Sequence, residues 1–148
     1  MMQKNSRPVA VYLIMFLMLF QGFSGIGGGI GLILDPTGES MQIPLNWLNG
    51  SPFQNYLIPG IVLFVVLGLL PLLILYKLWR KWPYAWYASL LIGIALIIWI
   101  TVEITIIGYQ TQPPLQAVYG TAGLLLLILL FLPSVKNYYA EKPQDFDN

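Results

Sequence analysis

Glu103 is the residue in this chain with the strongest claim to chemistry. It is the only acidic or basic side chain inside a long apolar stretch. An ionised group at the centre of a membrane helix costs about 2.5–3.5 kcal/mol on insertion scales, so intramembrane acids face protein or water. Such a carboxyl suits proton or cation handling, or a polar lock between helices. Four- and seven-residue spacings put Trp99, Glu103 and Gln110 on one helical face. Gln116, Tyr119 and Gly123 share a face on the next apolar stretch. Glu103 with Tyr119, Gln110 and Trp99 is therefore the candidate ligand or proton site. Tyr119 and Tyr109 are the expected hydrogen-bond partners of the carboxyl, if an outward cavity does not wet it.

Other chemistry is excluded by composition. Cys and His are both absent, which removes disulfides, thiol redox, Cys or His metal sites, His-ligated haem and His-activated nucleophiles. No second acid lies in any apolar stretch, as an intramembrane aspartyl protease would need. The glycines match no phosphate loop, for no GxxxxGK[ST] is present. A net charge of +1 gives no electrostatic case for nucleic acid. No catalytic residue, metal or cofactor is expected.

The elements that must position Glu103 follow from the apolar content. Among 148 residues, 57% are hydrophobic and 9% charged, against about 25% charged in soluble domains. Four apolar stretches are long enough for membrane helices of about 20 residues: 9–34, 53–76, 84–109 and 115–132. The expected fold is all-α, a polytopic four-helix transmembrane bundle forming a single domain, with a polar tail over 133–148. All 7 Lys and Arg fall before the first stretch, between the second and third, or after the fourth. The positive-inside rule then puts both termini in the cytoplasm of a cell-membrane protein. Residues 1–24 also have the outline of a secretory signal, but the apolar run continues unbroken to Leu34, as expected of a retained anchor.

Finer signals set the joints. Gly25/Gly29 and Gly27/Gly31 are small-xxx-small pairs suited to close helix approach. With Gly28, Gln21, Gly120 and Gly123 they are the candidate packing residues. Asp35-Pro36-Thr37-Gly38 is turn chemistry, and Met41-Gln42-Ile43-Pro44-Leu45-Asn46-Trp47-Leu48 reads as a short interfacial segment. Ser51-Pro52-Phe53-Gln54 has the form of a capping box that starts the second helix. Pro59-Gly60 and Pro71 should kink that helix. Glu103 lies about six residues beyond the middle of its own helix, or roughly 9–10 Å, at the expected level of Gly27, Pro59-Gly60 and Tyr119-Gly120.

The runs Asp35-Pro36-Thr37-Gly38, Ile43-Pro44-Leu45-Asn46-Trp47-Leu48, Ser51-Pro52-Phe53, Tyr56-Leu57-Ile58-Pro59-Gly60 and Trp99-Ile100-Thr101-Val102 resemble a family of small bacterial four-helix membrane proteins with no assigned activity. The resemblance implies a bacterial integral membrane protein and transfers no site residue. The format is also similar to DoxX-like proteins and small multidrug transporters. The latter carry their glutamate in the first helix, so their function is not carried over. The expected role is a non-enzymatic membrane component or accessory subunit, in contact with the lipid bilayer and with itself or a larger membrane protein. The alternative is a small oligomeric transporter or channel with Glu103 in an outward cavity.

Overall fold

The computed structural model describes residues 6–140, and its regular structure is all helix, with no strand among the described residues. The first long helix, α1, runs Val9–Leu34. At 1.5 Å per residue its 26 residues extend about 39 Å, more than a hydrocarbon core of about 30 Å. A loop with two 3-10 turns, Glu39–Met41 and Leu45–Leu48, leads to α2, Leu57–Phe64. A π-helical turn, Val65–Leu69, joins α2 to α3, Leu70–Trp79. Then come α4, Ala85–Ile107, α5, Leu115–Leu130, and α6, Pro133–Ala140. Three units are long and apolar enough to cross a membrane: α1, the α2–α3 unit Leu57–Trp79, and α4. The bent pair α5–α6 makes a fourth if taken as one span.

The helices close into a ring in which α1 packs on α2, α3 and α5, α3 on α4, and α4 on α5. Val11, Ile14, Met18, Leu78, Leu130 and Val135 fill the basic end. Leu67, Leu96 and Ile100 fill the middle. Leu32, Leu48 and Tyr56 fill the loop end.

Several expected boundaries move, each for a local reason. The second helix begins at Leu57, not 53, because Ser51 serves a turn instead of a capping box: its Oγ accepts the Phe53 N–H at 3.2 Å. Asn55 Oδ1 accepts the Leu57 N–H at 3.0 Å and caps the start. Pro59 therefore falls in the first turn, where a missing N–H leaves no bond unmade. The disruption lies further on. Leu70 N–H reaches back to the Val65 carbonyl, and the wider π turn precedes Pro71, which has no N–H to donate.

The fourth helix stops at Leu130 rather than 132. Pro133 disfavours helical geometry at Leu132, and α6 leaves at 62°. Residues 133–140 are thus helix rather than polar tail: Val135 and Tyr139 are buried under the bundle, and the Tyr139 hydroxyl donates to the Leu78 carbonyl at 3.2 Å. The rest of the expected tail lies outside the described residues. The segment expected at the interface folds onto the bundle end, with Leu48 buried and the Tyr56 hydroxyl donating to the Pro44 carbonyl at 2.8 Å.

Candidate functional site: a carboxyl at the joint of α4 and α5

The last turns of α4 and the first of α5 meet through a short loop, and Glu103 sits beside that joint. α4 ends at Gly108, whose φ of +74° favours glycine; its N–H caps the helix by donating to the Ile104 carbonyl at 2.9 Å. The chain returns through a cis Gln112–Pro113 bond into α5.

Gln116, only 3% exposed, fastens the joint. Its Nε2 donates to the Gly108 carbonyl at 3.1 Å, and its Oε1 accepts the Gln110 N–H at 2.8 Å. One amide thus satisfies a carbonyl that the end of α4 leaves open and a loop N–H beside it. Glu103 is half-buried one turn before the end of α4. The Gln116 amide and the Trp99 indole are the polar side chains that approach its carboxyl. Tyr56, on the neighbouring helix start, lies within electrostatic reach of it.

Trp99 and Glu103 are therefore brought together as their spacing predicts. Gln110 joins only at second hand, through its backbone N–H; its side-chain amide donates to the Ile107 carbonyl at 2.8 Å. Tyr119 turns elsewhere, stacking on Phe20 of α1 at 5.7 Å between ring centroids and packing on the Leu67, Leu96 and Ile100 group. Tyr109, the other expected partner, is exposed. Gln116 completes the site where Tyr119 was expected. Its signal was its place on the face shared with Tyr119 and Gly123, as an amide opening an apolar helix.

A second polar link lies at mid-bundle. Gln21 is 4% exposed, and its Nε2 donates to the Leu67 carbonyl at 3.2 Å. Pro71 stands four residues after Leu67 and cannot supply that carbonyl with a helical N–H. Gln21 Oε1 is buried without a partner among the described residues.

The glycines divide by face. An added Cβ at Gly25 would collide with the Leu67 backbone, and one at Gly29 would stand 2.6 Å from Phe64 N. At Gly28 it would meet Leu63 at 3.0 Å, and at Gly31 the Met41 sulfur at 2.5 Å. Gly27 has open space, with nothing within 4 Å. Across the α4–α5 seam, a Cβ on Gly123 would stand 2.9 Å from Ile97, while one on Gly120 would touch Ile100 only at 3.7 Å. Gly22, Gly60, Gly68 and Gly93 also lie at close approaches that the sequence pairs did not single out. Among the described residues no three acidic side chains converge as metal ligands would.

The fold and these joints define a class: an all-helical, membrane-embedded protein whose apolar helices contact lipid. Comparisons with known protein families, with curated proteins and with solved structures return no match.

Proposed function

We propose that the chain is a four-span bundle of a bacterial cell membrane, with its basic end in the cytoplasm, and that it serves as a non-enzymatic accessory subunit of a larger membrane assembly. The observation that carries this reading is where the intramembrane polar groups bond. Gln116 fastens the α4 end, and Gln21 links α1 to the second span. The Trp86 indole donates to the Leu130 carbonyl at 2.8 Å. Ser89, Thr101 and Thr105 donate to carbonyls four residues back. Gln116, Gln21 and Trp86 tie one element to the backbone of another, which is how polar residues act as interhelical glue, and the three hydroxyls are satisfied within their own helix. The test is gentle solubilisation of native membranes after crosslinking. Migration with a defined larger membrane protein supports the role; quantitative recovery of the chain alone or as a homo-oligomer overturns it.

A small oligomeric transporter or channel is the second reading, favoured by one observation. Glu103 is only half-buried, and the loops at its end of the chain carry no Lys or Arg. Cation flux into liposomes that falls at least tenfold in Glu103→Gln, with folding unchanged, would establish this reading. Flux equal to wild type would remove the carboxyl mechanism.

A further inference from the structure

The basic end holds a cleft apart from the Glu103 joint. It measures about 320 Å³ and is lined by Pro83, Trp86, Tyr87, Lys136, Tyr139 and Ala140. It exists because Pro133 turns α6 away from α5 by 62°, leaving a wedge between α6 and the first turns of α4. Its walls are fixed. The Trp86 indole N–H is committed to the Leu130 carbonyl and the Tyr139 hydroxyl to the Leu78 carbonyl. Trp86 is further clamped edge-on by Tyr87 at 4.9 Å and by Phe131 at 5.7 Å.

Lys136 is exposed on α6. Its ammonium lies 4.6 Å from the Phe131 ring centroid and 6.0 Å from that of Trp86. Ring faces attract a cation but carry no counter-charge, so these contacts leave Lys136 room for an anion. Arg7, Lys77, Arg80 and Lys81 lie at the same end, whereas the acids among the described residues, Asp35, Glu39 and Glu103, lie toward the other. Exposed apolar side chains continue from its walls: Phe131 lies against Trp86, Leu91 stands one turn after Tyr87 and Ile128 one turn before Phe131, and each is more than half exposed. A cationic head, rigid aromatic walls and an adjoining greasy flank fit one ligand chemistry, a phosphate diester carrying acyl chains.

We propose that this cleft binds the phosphate headgroup of an anionic phospholipid, with Lys136 as its ionic contact and Trp86 and Tyr87 as the walls against which the glycerol region rests. The proposal needs the chain to be membrane-embedded but not that it be an accessory subunit, so either can fail alone.

The test uses the full chain in detergent, titrated separately with brominated phosphatidylglycerol and brominated phosphatidylcholine, with quenching of tryptophan fluorescence as the readout. Wild type should bind phosphatidylglycerol about fivefold more tightly, the size expected of one lysine at an anionic membrane surface. Lys136→Gln should lose that preference and Lys136→Arg should keep it. Arg80→Gln, at the same end but outside the cleft, should also keep it. Equal binding of the two lipids overturns the proposal, as does a preference that survives in Lys136→Gln. An equal loss in Arg80→Gln overturns it in favour of diffuse surface charge. Inorganic phosphate at millimolar concentration should leave the quenching unchanged; full displacement by phosphate overturns the lipid assignment in favour of a free-anion site.

Discussion

The seam between α1 and the second span and the seam between α4 and α5 both use glycine, but against different things. On the first, Gly25, Gly29 and Gly68 meet backbone, while Gly22 and Gly28 meet the Leu72 and Leu63 side chains. Gly25 lies on the Leu67 carbonyl, and a Cβ on Gly68 would stand 2.8 Å from the Ile26 nitrogen. On the second, glycines are holes for side chains: Leu127 sits over Gly93 and Ile97 over Gly123. The first seam gains close dispersion contact and a polar link, Gln21 to Leu67, that reaches backbone only because the helices come so near. The second is fastened near its ends, by Gln116 at one and Trp86 at the other. The difference teaches that a glycine's tolerance depends on whether its neighbour can move.

The largest effect expected from that contrast is at Gly25. In Gly25→Val the new atoms meet the Leu67 carbonyl and the Gly68 nitrogen, and neither can rotate aside. Overpacking of this kind costs about 3 kcal/mol or more, enough to remove most folded protein from a thermal-unfolding assay in detergent. Gly27→Val, only two residues along the same helix, places its side chain in open space and should unfold within a few degrees of wild type. Equal damage at both positions would mean that Gly27 faces a partner helix, or that the α1 seam is placed wrongly.

A smaller effect is expected on the other seam. Gly123→Ala meets Ile97 Cδ1 at 2.9 Å, the far end of a flexible side chain. A rotamer shift of about 0.5–1.5 kcal/mol is partly offset by the gain in helix propensity, up to about 1 kcal/mol. The measured change should stay below about 1 kcal/mol. A loss as large as that of Gly25→Val would end the distinction between the two seams.

The polar fasteners separate next. Gln116→Leu leaves the Gly108 carbonyl and the Gln110 N–H without their bonds and should cost about 1 kcal/mol, in the range found for polar links in membrane proteins. Gln21→Leu removes a bond but also removes the unpartnered Oε1, and the two consequences oppose each other. It should be the milder of the two in the same unfolding assay. The reverse order would show that Gln21 Oε1 has a donor in the membrane-embedded protein, such as a buried water.

Much of this was legible in the residues themselves, and what was not has a common cause. Long apolar runs imply helices because lipid offers the backbone no other partner, so α1, α4 and the second span could be read directly. That a Glu103 face with Trp99 exists followed from spacing along one helix. Which residue of α5 would approach it did not, because the rotation of α5 is set by contacts far along the chain: Phe20 draws Tyr119 toward α1 and leaves Gln116 facing the joint. The glycines repeat the lesson. Gly25/Gly29 and Gly27/Gly31 are equivalent as spacings, and only the position of the second span makes the first pair buried and leaves Gly27 open. The π turn and α6 were hidden for another reason. Pro71 and Pro133 announce a break but not its form, since each could kink, widen or end a helix. Burial of Val135 and Tyr139 at the basic end keeps the chain helical after the second of these prolines.

The smallest effect concerns the turn that carries α1 into the glycine-lined seam. Asp35 Oδ1 accepts the Thr37 hydroxyl at 2.6 Å and the Thr37 N–H at 3.1 Å, and Oδ2 accepts the Ser40 N–H at 2.7 Å. These bonds, the Thr37 hydroxyl first, pull the Asp35 carboxyl from its ordinary 3.8 down to about 2. A group whose folded pKa is depressed stabilises the fold above its unfolded pKa, and that contribution fades as pH falls toward the folded value. Wild type should therefore lose a small part of its stability between pH 4 and pH 2. Asp35→Asn places an amide N–H against the Ser40 N–H and should be slightly less stable at pH 5, with the gap narrowing by pH 2. Melting temperatures of the two proteins at both pH values decide the matter. A gap that stays constant would mean that the turn is held by its backbone bonds, Gly38 N–H to the Asp35 carbonyl at 3.1 Å and Tyr56 N–H to the Pro36 carbonyl at 2.8 Å, and that the close α1 seam needs no carboxylate to bring its two helices together.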